Sequence, residues 1–393
     1  MEPYPIVSRE GFLMGFICSS TEFTEISWVS GLTRLYMWLS PHSGVDVTSL
    51  VENGILRRGG VEVQVDKWLE KMPITYGYTI NDLDSYVDWL SSIIKSSVEG
   101  KKVILSYSGG KDSTSALIVL LKLMERISFK LHVAYIHMPY LESPENIKFI
   151  DQVSRRLNIE IEVVEPPRRI VLKRLMRDGL PYRRARWCTY LKVRMIRELE
   201  KRYDTDFEVY GDRVVEAGKR LKRLAKLASK RAFVIGGKFR PTFTLTLLDV
   251  VKLCRSHGIV HPDYLRGLPR VSCSYCPYKS LHEFSAISQV EDPGLIDEIL
   301  KREYEKWYKD KIEFDDFINE ALWRYAPAIA RMFHRARSDL KGLVLNSIDS
   351  SDVHEMLSSL WINSLPRAPT LSLDDVARIA CEALKSKTSI ETT

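Results

Sequence analysis

The chain has 393 residues, of which 45% are hydrophobic and 28% charged, with 20 Gly and 17 Pro. That length allows two or three packed domains, and the composition excludes collagen-like and low-complexity chains. The longest apolar stretches, such as Ala116 to Leu121, fall far short of the roughly 18–20 residues of a membrane span, which excludes a helical membrane protein.

The start Met1-Glu2-Pro3-Tyr4-Pro5 lacks the basic region of a signal peptide, and there are six cysteines. In such a chain the cysteines read as intracellular thiols or ligands rather than a disulfide framework, and the expected location is the cytoplasm. The net charge of +7 is unevenly spread. Between Pro167 and Arg231, 21 Lys and Arg stand against 8 Asp and Glu, a local +13 that leaves −6 for the rest. A basic block in an otherwise acidic chain suits a polyanion, either nucleic acid or nucleotide phosphate. Amphipathic helices with solvated basic faces are the alternative.

In chain order, Val61 to Val65 alternates like a strand after Gly59-Gly60, while Ser27 to Leu39 suits helix or strand. Residues 1–75 are therefore expected to form an N-terminal α+β domain of unknown role. Asn81 and Asp82 are N-cap candidates for a helix carrying Leu83, Tyr86, Val87, Leu90, Ile93 and Ile94 at helical spacing. Val103 to Tyr107, Leu131 to His137 and Ile159 to Val164 read as strands. Between them, Ser115 to Ile127 and Glu145 to Leu157 read as helices. That alternation predicts an α/β fold with a parallel sheet and crossover helices. Phe207 to Tyr210 and Ala232 to Ile235 extend it, so residues 76–290 are expected to be one α/β domain. Residues 291–393 read as a helical domain, with Ser372 and Asp375 a capping box for its last helix.

The most informative string is Ser106-Tyr107-Ser108-Gly109-Gly110-Lys111-Asp112-Ser113-Thr114, between a strand and a helix. Gly109 and Gly110 allow a tight turn whose amides approach an anion, and the helix adds its positive end. Ser108, Ser113 and Thr114 supply hydroxyls and Lys111 a charge. Asp112 suits either loop orientation or a magnesium ion. Neither Walker A nor G-x-G-x-x-G spacing is present. The string resembles the PP-loop of the ATP pyrophosphatase superfamily, which implies a Rossmann-like core of the adenine nucleotide alpha hydrolase type. It also implies binding of ATP with Mg2+ and activation of an acceptor by adenylation.

Three later segments fall in the order of the phosphoadenosine phosphosulfate (PAPS) reductase-like branch of that superfamily. They are Arg186-Trp187-Cys188-Thr189-Tyr190-Leu191-Lys192, then Gly211-Asp212-Arg213-Val214-Val215-Glu216 through Arg220. The third runs from Arg240-Pro241 through His261-Pro262-Asp263-Tyr264 and Gly267-Leu268-Pro269-Arg270 to Cys273-Ser274-Tyr275-Cys276-Pro277. The resemblance covers about residues 80 to 285. It implies catalytic roles for Lys111, Asp112, Lys192, Arg213 and Arg270. It implies nucleotide binding by Ser108 to Thr114 together with Arg213, Glu216 and Arg220. The forked guanidinium groups suit phosphate or sulfate. Strand two ends in His137-Met138-Pro139, where the family commonly shows an acidic residue.

Cys273-x-x-Cys276 has metal-knuckle spacing. The related adenylylsulfate (APS) reductases bind a [4Fe–4S] cluster on four thiolates, two of them adjacent. Here Trp187-Cys188 replaces the adjacent pair, leaving Cys188, Cys273 and Cys276 as metal candidates. Three thiolates suit a cluster with one open iron, or zinc with His257, His261 or His282, or a reduced structural pair. Cys254 and Cys18 read as core. Cys381, in helical text without a Cys-Gly motif, differs from the tail nucleophile of sulfonucleotide reductases.

The leading expectation is an ATP-dependent adenylating enzyme that transfers sulfur, with tRNA a suitable acceptor for the basic segment 167–231. The alternatives are an APS or PAPS reductase releasing sulfite, and a non-catalytic nucleotide- or nucleic-acid-binding scaffold.

Overall fold

In the N-terminal region the alternating residues pair as strands. The computed structural model describes residues 2–70, 72–216 and 218–390, with the side chains of 218–220, 222, 229 and 383–390 outside that set. Strands Tyr4–Val7, Leu13–Ser19, Phe23–Trp28, Thr33–Trp38 and Ser43–Asp46 form an antiparallel meander. The ambiguous stretch Ser27 to Leu39 resolves as a hairpin, with Phe23 opposite Met37 and both side chains fully buried. Its last neighbour is distant in sequence. Strand Ser347–Asp349 pairs with Ser43–Asp46 and completes a six-stranded sheet. A small three-stranded sheet, ending in Val61–Gln64, follows the meander.

That late strand interrupts the helical run expected after residue 290. The helices there are Pro293–Trp307, Phe314–Asn319, Pro327–Lys341, Ser350–Ile362 and Leu373–Ile390. The N- and C-terminal regions also share a buried ion network. Glu22 on the meander pairs with Arg324 at 2.9 Å and with Arg337, which reaches Glu320 at 3.4 Å and donates to the Trp38 carbonyl at 2.8 Å. All four charged groups are solvent-inaccessible. Such a network costs desolvation on both sides and persists only with its hydrogen bonds complete.

The second six-stranded sheet positions the site. Strands Lys102–Ser106, Lys130–Ile136, Glu162–Val164, Phe207–Val209 and Lys238–Phe239 are parallel, and Val234–Ile235 turns back antiparallel as an edge. Lys102–Ser106 lies in the middle, flanked by Lys130–Ile136 and Phe207–Val209. Its Val103, Ile104 and Leu105 are at most 1% exposed, as a strand covered on both faces requires. Helix Leu83–Val98 starts at the expected Asp82, whose side chain accepts from the Ser85 amide. Helix Lys111–Leu123 begins four residues earlier than its apolar pattern suggests, because the loop's Lys-Asp-Ser-Thr forms the first turn. The loop after Lys102–Ser106 thus opens at the carboxyl end of the sheet, next to where the chain reverses sheet direction, the usual ligand crevice of open α/β folds.

Candidate active site

Gly109 has φ +75°, a left-handed conformation that glycine adopts without strain, and Gly110 caps the following helix. Hydroxyls hold the turn. Ser108 Oγ lies 3.0 Å from Ser113 Oγ, which donates to the Gly110 carbonyl at 3.0 Å, and Tyr107 and Thr114 hydroxyls pair at 3.0 Å. The Lys111 amide donates to the Tyr264 hydroxyl at 2.8 Å, so the P-x-Y segment clamps the loop from the side. Gly211 closes it from below. A Cβ there would meet the Asp112 carbonyl oxygen at 2.7 Å, which only glycine avoids.

Both Asp112 oxygens are engaged with cations, Oδ2 with Lys111 Nζ at 3.1 Å and Oδ1 with Arg213 Nε at 2.6 Å. Burial opposes its ionisation, yet the neighbouring Lys111 and Arg213 charges hold the carboxyl well below the usual range. This is the arrangement of a loop-orienting carboxylate. Arg213, expected on phosphate, is fully buried between Asp112 and Glu2, whose Oε2 it reaches at 2.6 Å. Glu216 adds its negative charge to the same surroundings. Arg213 therefore acts on the loop through Asp112 rather than facing a ligand directly. The side chain of Arg220 lies outside the described residues.

A cavity of about 290 Å³ opens beside the loop. Ser106, Tyr107 and Ser108 line one end, and Lys192, Arg270, Cys188, Cys273 and Cys276 line the rest. Chain order gave no distance among these residues, yet the fold brings them to one space. Arg270 keeps Nη2 buried without a hydrogen-bond partner among the described residues, a donor available to an anion. Lys192 donates to Glu142 Oε1.

Glu142 is the residue that sequence reading missed. It is 3% exposed and accepts from Tyr135 Oη at 2.7 Å, from Cys273 Sγ at 3.3 Å and from Lys192. Burial would push its carboxyl up, but the Lys192 charge, the neighbouring His137 ring and the Lys192 and Tyr135 hydrogen bonds hold it well below the usual range. It stands five residues beyond His137, where the chain expected no acid. The available signal was Glu142 itself, the first acidic residue after that strand.

Residues 102–279 match the family described as the phosphoadenosine phosphosulfate reductase domain. The chain carries a PAPS reductase-family domain. An uncharacterized protein of Methanocaldococcus jannaschii is 27% identical over 258 residues, covering 62% of this chain and 50% of its own length. The tRNA(Ile)-lysidine synthase of Geobacillus kaustophilus is 29% identical over 177 residues, covering 41% of this chain and 36% of its own length. The chain thus spans half or less of the curated relatives it matches. A U34-tRNA thiolase from Methanococcus maripaludis, solved with its [4Fe–4S] cluster, superposes with TM-score 0.36 at 17% identity over 60% of this chain and 80% of that one.

Within the PAPS reductase-family domain, the thiols feel one another. Burial pushes Cys188 up, with Cys276 adding to the rise. Burial and then the Glu142 charge push Cys273 well above its ordinary value. The three sulfurs do not close to within 4.8 Å of one another as a set, as a single zinc ion would require. The suggested fourth ligands lie elsewhere. His257 bonds the Leu253 carbonyl, His261 accepts from the Asp263 amide, and His282 packs against Trp38. None of them lines the cavity. The three thiols and Glu142 surround one space, and none of the three histidines joins them there. Cys254 and Cys18 are buried in the core as expected. Cys381 lies on helix Leu373–Ile390, away from the cavity-lining set. No helix among the described residues is long and apolar enough to cross a membrane.

Proposed function

We propose that this chain is an ATP-dependent enzyme that adenylates an acceptor and then delivers sulfur to it, with an RNA such as tRNA as acceptor. One observation carries the reading: the start of the phosphate loop, Ser106 to Ser108, and the three thiols line the same cavity, so an activated carbon and a sulfur donor can meet there. An acceptor oxygen attacks the α-phosphorus of ATP, the bond to pyrophosphate breaks, and sulfide from an external donor displaces AMP from the acceptor carbon. The loop hydroxyls and the Gly109–Gly110 turn receive the phosphates, with Lys111 and Mg2+ supplying positive charge. Asp112, held by Arg213, fixes the loop's geometry. Arg270 supplies its free donor to the α-phosphate or the leaving group. Lys192, tied to Glu142, keeps a positive charge beside the thiols. A [4Fe–4S] cluster on Cys188, Cys273 and Cys276 would supply an open iron able to hold sulfide.

Release of sulfite from APS or PAPS is the second reading, supported by the family match over residues 102–279. It requires a nucleophilic cysteine, and Cys381 is not among the cavity residues. A nucleotide panel separates the two. Calorimetry with ATP, APS and PAPS, paired with pyrophosphate and sulfite assays, should give ATP binding and pyrophosphate release. Sulfite release with a thioredoxin donor selects the second reading instead. We also propose the functional division into residues 1–75, 76–290 and 291–393, the middle unit holding the catalytic site and the flanks supporting it.

A further inference from the structure

A second and larger cavity, of about 690 Å³, lies on the other side of the segment that carries Cys188. Pro181 and Cys188 line the thiol cavity, whereas Tyr182 and Trp187 line the larger one, and Arg186 lines both. A single stretch of chain is therefore the wall between them. The opposite wall comes from helix Pro293–Trp307 and the segment after it, outside the PAPS reductase-family match.

The lining chemistry is specific. Trp187, Trp307 and Tyr182 offer aromatic faces, and Trp307 is 48% and Tyr182 38% exposed, so these rings are not consumed by the core. Lys306 Nζ sits 4.9 Å over the Trp307 ring, and Arg186 and Arg302 line the same space, as does Arg177, which is paired to Asp178. Flat aromatic faces bordered by cations take a π-surface attached to an anion, which is the chemistry of a nucleotide in an unpaired strand. The volume lies in the range of about 300–1,000 Å³ typical of small-ligand sites. The helix that forms one rim, Arg168–Asp178, opens the +13 segment.

We propose that this cavity holds an unstacked base of a single-stranded RNA, whose neighbouring nucleotide reaches the thiol cavity past Arg186. The inference rests on the reading of the chain as an RNA-modifying enzyme and names the part that grips the acceptor. Glu303 also lines the cavity and accepts from the Leu180 amide at 2.8 Å through Oε1. Arg186 rests 4.8 Å over the Tyr278 ring, held at the junction of the two cavities.

The test uses the full chain and a short, unstructured, fluorescein-labelled single-stranded RNA of mixed sequence, read by anisotropy. Trp307→Ala should weaken RNA binding by about tenfold or more, the loss of one stacked base. Trp307→Phe, which keeps an aromatic face, should restore most of it. ATP affinity should be unchanged in both, because Trp307 is remote from the loop lining. RNA binding equal in wild type and Trp307→Ala, or no RNA binding by a wild type that binds ATP, overturns the inference while leaving ATP-dependent chemistry in place. Failure to bind ATP alongside Trp307-dependent RNA binding overturns the proposed reaction and leaves this site standing. Quenching of the site by ATP instead of RNA also overturns it.

Discussion

Cys273 Sγ lies 3.3 Å from Oε1 of Glu142, the same oxygen that receives Lys192 Nζ. A buried carboxylate thus ties a thiol of the C-x-x-C turn to a cation from the preceding motif. Removing it with Glu142→Ala leaves Lys192 facing the cavity without its partner. Because Lys192 keeps partial access to the cavity, losing its charge-assisted bond to Glu142 costs about 1.5–3 kcal/mol. Urea unfolding should show that loss, and Lys192→Met in the same background should recover part of it, because the two positions act as one unit.

Gly211→Ala tests the clamp on the phosphate loop. The added methyl meets the Asp112 carbonyl oxygen and carbon at 2.7 and 2.8 Å, and backbone atoms cannot swing away as a flexible side chain would. The loop must shift, and sub-ångström precision is what phosphate recognition needs. ATP affinity by calorimetry should fall about tenfold or more, with a thermal midpoint lowered by several degrees. Unchanged ATP affinity would disconnect the Gly211 motif from the loop.

Much of this arrangement was legible in the sequence, for identifiable reasons. The string Ser106 to Thr114 combined strand, glycine turn and helix, so its local structure and its chemistry agreed. The middle strand Lys102–Ser106 was legible because its apolar run is continuous and covered on both faces, whereas Ala232 to Ile235, expected to extend the sheet, supplies its antiparallel edge and the short parallel strand Lys238–Phe239 carried no such run. Illegible features were set by distant pairing. Ser347–Asp349 is three residues long and becomes a strand only because Ser43–Asp46 offers an open edge. Arg213 looks like a phosphate ligand in its motif, yet Glu2, more than two hundred residues earlier, claims its guanidinium. Glu142 carried no motif of its own. The +13 segment is likewise subdivided in space, with Arg174 and Arg177 paired to Asp178 and Arg202 to Glu162, so net charge overstated the free positive surface.

Arg337→Met probes the junction of the terminal regions. It takes from Glu22 one of its two guanidinium partners, leaving Arg324, and from Glu320 its guanidinium partner, both carboxylates being solvent-inaccessible. The expected cost is about 3–5 kcal/mol in chemical denaturation. A neutral result would mean that this ion network adds nothing to the hold between the N-terminal sheet and the C-terminal helices.

Stability should depend on pH through Glu303. Burial pushes its carboxyl up to about 7, above the ordinary 4.5. A carboxyl whose folded value is raised favours the folded state below the unfolded value, and that contribution is lost as pH rises through the folded value. Wild type should therefore lose stability between about pH 4.5 and 7 from this group. Glu303→Gln, which keeps the acceptor for the Leu180 amide, should raise the thermal midpoint at pH 8 and change it little at pH 4. Equal effects at both pH values would contradict the assignment.

The central claim is that one cavity joins nucleotide activation to delivery of sulfide beside the three thiols. Pyrophosphate release from ATP, measured in the presence of acceptor RNA and a sulfide source, tests it most directly when Lys111→Ala and Cys273→Ala are compared with wild type. Lys111→Ala should abolish pyrophosphate release. Cys273→Ala should retain pyrophosphate release while the RNA gains no sulfur. Sulfite production from PAPS by wild type, with no pyrophosphate from ATP, would contradict the account.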